Sequence, residues 1–186
     1  MAVIHDKDRL EGATSLKAWK DAAFEQLEML VAQGDGTEYG DGVGGGSVAA
    51  ADSADTVIIP PNAAVAMASS SLAQLQRASA ELRMGVSPTL GRRAMAMAVR
   101  YSLYLLEKRA PGPGVEVRVA PYAAVKVLDG PASDPHNLTP PDVIELEPAV
   151  WLRMACGVTT WQEEKDEGHI AAVGPRDDLR RFLPLV

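Results

Sequence analysis

The chain has 186 residues and a mass of 19.7 kDa, enough for one full domain or two small ones. Hydrophobic residues make up 47% and charged residues 23%, which excludes wholesale disorder, and no run of about 18 apolar residues is present to cross a membrane. Eighteen basic and twenty-five acidic residues give a net charge of −7, spread evenly over the two halves, so neither half is a basic module for a nucleic-acid backbone.

The polar start, with His5, Asp6, Lys7, Asp8 and Arg9, lacks the apolar stretch of a signal peptide. Residues 15–33 then read as an amphipathic helix. Leu16, Trp19, Ala23, Leu27, Leu30 and Val31 recur at three- and four-residue steps, Thr14 or Ser15 can cap the start, and Gly34 can end it. In residues 34–56, seven of 23 positions are glycine, five are acidic and none is basic, the composition of a long flexible loop. Val57–Ile59 is a short apolar run stopped by Pro60 and Pro61, read as a strand or extended segment.

Residues 62–84 read as a second helix, capped by Asn62 and closed by Gly85, with Val65, Ala68, Leu72, Leu75, Ser79 and Leu82 on one stripe. Ser87-Pro88 predicts the start of a third helix running to Arg109, because serine suits the cap and proline the first helical position. Pro111-Gly112-Pro113-Gly114 ends it.

The period then changes to two. Val115, Val117 and Val119 alternate with Glu116, Arg118 and Ala120, and Tyr122–Leu128 follows Pro121 as a second strand, which together predict a hairpin or meander. Residues 129–142 hold four prolines and read as a loop. The remaining elements are a strand at Val143–Leu146, short helices at Pro148–Cys156 and Thr159–Glu167 ended by Gly157 and Gly168, a strand at His169–Val173 and a last helix at Arg176–Leu183. The fold class is therefore α+β, with an N-terminal helical region over residues 1–86, Gly-rich loop included, and an α+β domain over 87–186.

Three pieces of the stretch Val99–Val186 carry a resemblance. The first is Arg109-Ala110-Pro111-Gly112 with Val115 to Val125, and the second is Thr139-Pro140-Pro141-Asp142-Val143-Ile144-Glu145. The third is Glu147 to Gly157, Thr160-Trp161, Gly168 to Gly174 and the Leu179–Leu185 tail. In that order they resemble the sterol carrier protein superfamily, in its short actinobacterial form, the bacterial SCP orthologue. The resemblance implies a mixed or antiparallel sheet covered on one face by helices, with a lipid-sized apolar tunnel between them. The loop Gly130–Leu138 departs from that form, since it has no Arg or Lys. Larger relatives often carry a metal-binding helical bundle similar to maleylpyruvate isomerase, but residues 11–110 contain no His, which excludes a three-His site there.

The function that follows from the resemblance is a non-catalytic carrier of an apolar small molecule: a fatty acyl chain, an isoprenoid or a sterol-like lipid. The resemblance assigns the tunnel lining to Trp151, Leu152, Ala155, Phe182, Leu183 and Leu185, and the mouth to Tyr122 and Asn137. The alternative is a protein–protein interaction module on a solid scaffold, with helices 15–33 and 62–109 offered to a partner or to a second copy as a homodimer. Other candidates carry bland readings. The lone Cys156 makes an intramolecular disulfide or CxxC site impossible and reads as a buried thiol rather than a nucleophile paired with His169. His5, His136 and His169 match no metal-ligand spacing. Gly40–Gly45 spells GxGxxG, but no strand precedes it. Glu163, Glu164, Asp166 and Glu167 read as a solvated helix face with acids in the first turn. No enzyme activity, cofactor, metal or nucleic-acid partner is expected, and the expected location is the cytoplasm.

Overall fold

A single 3-10 turn at Asp6–Asp8 leads into α1 (Arg9–Gly34) in the computed structural model, which describes residues 3–34, 78–130, 142–176 and 178–186. Leu16, Trp19, Ala23 and Leu27 are buried along one side of α1, as their spacing predicts. The helix starts six residues before the predicted boundary of 15, at Arg9. Thr14 is inside it, its hydroxyl donating to the Leu10 carbonyl at 2.9 Å, so a candidate cap is spent on the helix's own backbone.

The Gly-rich loop, Val57–Ile59 and most of the helix expected at 62–84 lie outside the described residues. What is described of that helix is α2 (Ala80–Met84). Ser79 was expected on its apolar stripe. It is instead the N-cap, with extended backbone and its hydroxyl accepting from Leu82 N at 3.3 Å.

The third helix, α3 (Arg92–Arg109), ends where predicted but starts later than Ser87-Pro88. Tertiary contacts hold residues 86–90 in a non-helical path. Val86 is buried, its carbonyl accepts from Arg153 at 3.2 Å, and the Ser87 amide donates to Gln26 of α1 at 3.0 Å.

Four strands form one mixed sheet in the order β2-β1-β3-β4: β1 (Pro111–Val119), β2 (Ala123–Val127), β3 (Asp142–Leu146) and β4 (Ile170–Val173). β1 and β2 make the predicted hairpin, β3 runs parallel to β1, and β4 pairs antiparallel with β3. The Pro-Gly run is not outside the sheet. Pro111 and Val115 both register with Val127, so the run forms an irregularity within β1, pinned by Gly114 N donating to Leu128 O at 2.9 Å. Val115, Val117, Val119, Val125, Val127, Ile144 and Leu146 all bury on the inner face, in one hydrophobic core with residues of α3 and α4 (Pro148–Ala155). On the outer face Arg118 stands opposite Glu145 and Glu116 opposite Lys126, an opposite-sign pairing that suits a solvated surface.

Six consecutive residues of α4, Val150 to Ala155, are buried, so this short helix runs through the interior. α5 (Trp161–Asp166) starts with Thr160 and Glu163 in a reciprocal capping box. Gly157 and Gly168 end the two helices at φ +75° and +77°, where a side chain would be strained. The last helix expected at Arg176–Leu183 is only a 3-10 turn, Arg180–Phe182. Asp178 takes the Arg180 amide at 2.9 Å, and Arg109 takes the carbonyls of Phe182, Pro184 and Leu185, so tertiary partners replace helical ones.

Candidate functional site

Three of the expected tunnel residues converge on α4. Trp151, Leu152 and Ala155 have no surface that water can reach. Trp151 Nε1 donates to Ser102 Oγ at 2.7 Å, which joins α4 to α3, and Ser102 donates in turn to the Val99 carbonyl at 2.9 Å. Leu185 is also buried, and its amide donates to the Ala155 carbonyl at 2.8 Å. Phe182 and Leu183 are half-buried and packed against the same core. Asn137 lies outside the described residues.

Tyr122 lies elsewhere, at the turn between β1 and β2. It borders a cleft of about 370 Å³ between that turn, α3 and the N-terminal segment. Met97 of α3 is buried at the cleft, with Val3, Ile4 and Ala123 adding apolar wall. Arg100, His5 and Asp8 supply charge and polarity. Arg100 Nε donates to the Tyr122 carbonyl at 3.3 Å, which holds the guanidinium beside the tyrosine. Apolar and polar groups thus share the lining. Nothing in the chain order singled out Arg100, Met97 or Ile4 as neighbours of Tyr122. His5 was noted only as a scattered histidine.

A second cluster was missed because its acids were read as solvent-facing. Glu164 is 0% exposed, inside a network rather than on a wet face. Arg153 Nε and Nη2 donate to its two oxygens at 2.7 and 2.9 Å, and Thr159 Oγ1 donates at 2.6 Å. His169 Nδ1 lies 2.7 Å from Glu164 Oε2. Burial works against the Glu164 charge, but the hydrogen bonds from Arg153, Thr159 and His169 outweigh it and hold the carboxyl below its ordinary 4.5. Beside this network, Arg83 pairs with Glu163, and burial of Glu163 is likewise outweighed by bonds from Thr160 and Arg83. This cluster ties α2, α4, α5 and the start of β4 together.

Cys156 is the buried C-cap residue of α4. Burial pushes its thiol up to about 12, so it carries no thiolate at neutral pH. Among the described residues no group of three or more His, Cys, Asp or Glu could hold a metal ion, and no helix is long and apolar enough to cross a membrane.

A strand, two short Gly-terminated helices and one more strand follow each other in the order that the sterol carrier resemblance implies, with a 3-10 turn in place of the terminal helix. The sequence pattern of the bacterial SCP ortholog family matches residues 91–185, just over half of the chain. The chain belongs to that family. The match begins at Gly91, the N-cap of α3, so α3, the whole sheet, α4 and α5 are the SCP-like part. Both the Trp151 core and the Tyr122 cleft draw on this part, and the cleft also takes a wall from the N-terminal segment. No curated protein matches the chain.

Proposed function

We propose that the protein is a non-catalytic carrier that binds an apolar small molecule, an acyl or isoprenoid chain, at the cleft beside Tyr122. The observation that carries this reading is the cleft itself, with buried Met97 in its lining and Arg100, His5 and Asp8 as polar groups. Membership of the bacterial SCP ortholog family supports it. Binding would be driven by burial of the chain, worth about 25 cal/mol per Å² of apolar area. Arg100 would orient a polar or anionic head group.

One feature argues against Cys156 as a nucleophile, since burial holds its thiol neutral.

One observation favours the second reading, an interaction module on a solid scaffold. Trp151, Leu152 and Ala155 are packed with no accessible surface. Exposed Leu10 and Met29 on α1 would then be part of the partner surface.

Titration with cis-parinaric acid separates the two. The carrier reading expects saturable fluorescence enhancement that a saturated fatty acid displaces and that Ala123→Phe, which fills the cleft wall, weakens. Absence of saturable binding would leave the interaction module as the better reading.

A further inference from the structure

We infer that the cleft between the end of β2 and the C-terminal segment is a second binding site, for a small molecule that carries a phosphate group. It shares no residue with the cleft at Tyr122 and is larger, at about 530 Å³. Its wall holds three arginines, Arg176, Arg180 and Arg181, in a chain whose net charge is −7. Lysine is absent from the lining. A guanidinium is a planar fork of N–H donors that matches the oxygens of a phosphate, which a lysine meets only as a point charge. Leu128 and Pro175 add apolar wall beside the arginines.

Two of the arginines are placed by carboxylates. Asp142 is only 1% exposed, and its Oδ2 accepts from the Arg176 amide at 3.1 Å and from Nη1 at 3.2 Å. Gly174 makes room for this carboxylate, since a methyl group there would stand 2.2 Å from Asp142 Oδ1. Leu128 turns the chain at φ +63°, held by its amide donating to the Ala110 carbonyl at 2.9 Å. Two residues on, Gly130 lies against the Arg176 guanidinium, where a methyl group would stand 3.2 Å from Nε. Arg180 donates to Asp178 through Nε at 2.6 Å and through its amide at 2.9 Å.

Arg181 is placed differently. Its guanidinium lies over the Phe182 ring, 4.6 Å from the centroid. Stacking fixes the group without using its N–H donors, and among the described residues no carboxylate pairs with it. The other acid of the lining, Asp129, is exposed, so water screens its charge. The charges of Arg176 and Arg180 are thus met by the protein, whereas that of Arg181 is left for a ligand. A phosphate group meets it and can also accept from the remaining nitrogens of the two neighbours. One phosphate fills only part of about 530 Å³, which leaves room for the group that carries it.

The test is calorimetric titration of the full chain at low ionic strength with inorganic diphosphate, inorganic phosphate and phenyl phosphate. Wild type, Arg181→Ala and Arg181→Lys are compared, each checked for a cooperative thermal melt. Arg181 is exposed, so its replacement leaves the core closed. Wild type should bind diphosphate saturably, and Arg181→Ala should weaken this by about tenfold, the loss of one charge-assisted contact. Arg181→Lys keeps the charge but loses the fork, and should fall between the two. Phenyl phosphate binding more tightly than inorganic phosphate would assign the site to a phosphate ester, and equal affinity would assign it to free phosphate. No saturable binding of any of the three, or equal affinity in wild type and Arg181→Ala, would overturn the site. Because the two clefts share no residue, either result leaves the carrier reading where it stands.

Discussion

Arg153 grips Glu164 with two parallel hydrogen bonds, at 2.7 and 2.9 Å, across eleven residues of sequence and in a place that water does not reach. The remaining acceptor capacity of the carboxylate goes to Thr159 and His169, and a further guanidinium nitrogen reaches the Val86 carbonyl. A buried pair of this kind need not add net stability, because desolvation opposes the attraction. Breaking it is a different matter, since one charge is left alone in the interior. Arg153→Met should cost about 3–5 kcal/mol in urea unfolding, and Glu164→Leu a similar amount. The double variant should recover most of the loss. Single variants within about 1 kcal/mol of wild type would mean that the network does not hold α4 to α5.

The same network sets the response to acid. The carboxyls of Glu163 and Glu164 are both held below 4.5 in the folded chain and return to that value when it unfolds. The unfolded state therefore binds more protons as pH falls through 4.5, and stability is lost until the folded-state values are passed. Above about pH 6 this contribution is complete and flat. Melting temperatures from pH 6 to 3 should fall steeply in wild type and less steeply in Glu164→Gln, which has no proton to gain there. Parallel profiles would show that Glu164 is not the group responsible.

Much of the fold could be read from the chain because the periodicities are local. Three valines at period two mark β1, and the stripe from Leu16 to Leu27 marks α1. Several of the misses have partners far away in sequence. Ser87-Pro88 carries every local sign of a helix start, yet Gln26 and Arg153 take its segment. Arg176–Leu183 is helical by pattern, but Arg109 claims its carbonyls. Glu164 was hidden among three other acids, and its pairing with Arg153 follows no helical spacing. Of the expected site, the apolar group around Trp151 was legible as a cluster, whereas the surroundings of Tyr122 were not. Met97 and Arg100 reach it from α3, and Ile4 from the N-terminal segment.

Cys156 provides a probe of the closed core. With its thiol pushed up to about 12 by burial, reaction with an aromatic disulfide reagent at pH 8 should be slow in the native chain and complete within minutes in urea. Fast native labelling would show that the end of α4 opens readily.

Ser102→Ala tests how α4 is fixed on α3. Removal of the hydroxyl leaves Trp151 Nε1 without its partner in a dry core, at a cost of about 1–3 kcal/mol. The near-ultraviolet circular dichroism of the indole should change with it. An unchanged urea midpoint would show that packing alone places Trp151.

The central claim is that the protein carries an apolar small molecule, and native mass spectrometry of gently purified protein tests it most directly. Solvent extraction would then identify whatever is released. The carrier account predicts a bound lipid in defined stoichiometry, with Ala123→Phe reducing its occupancy. A clean ligand-free mass, with no uptake of added fatty acid, would contradict it. A ligand-free dimer would point to the interaction module instead.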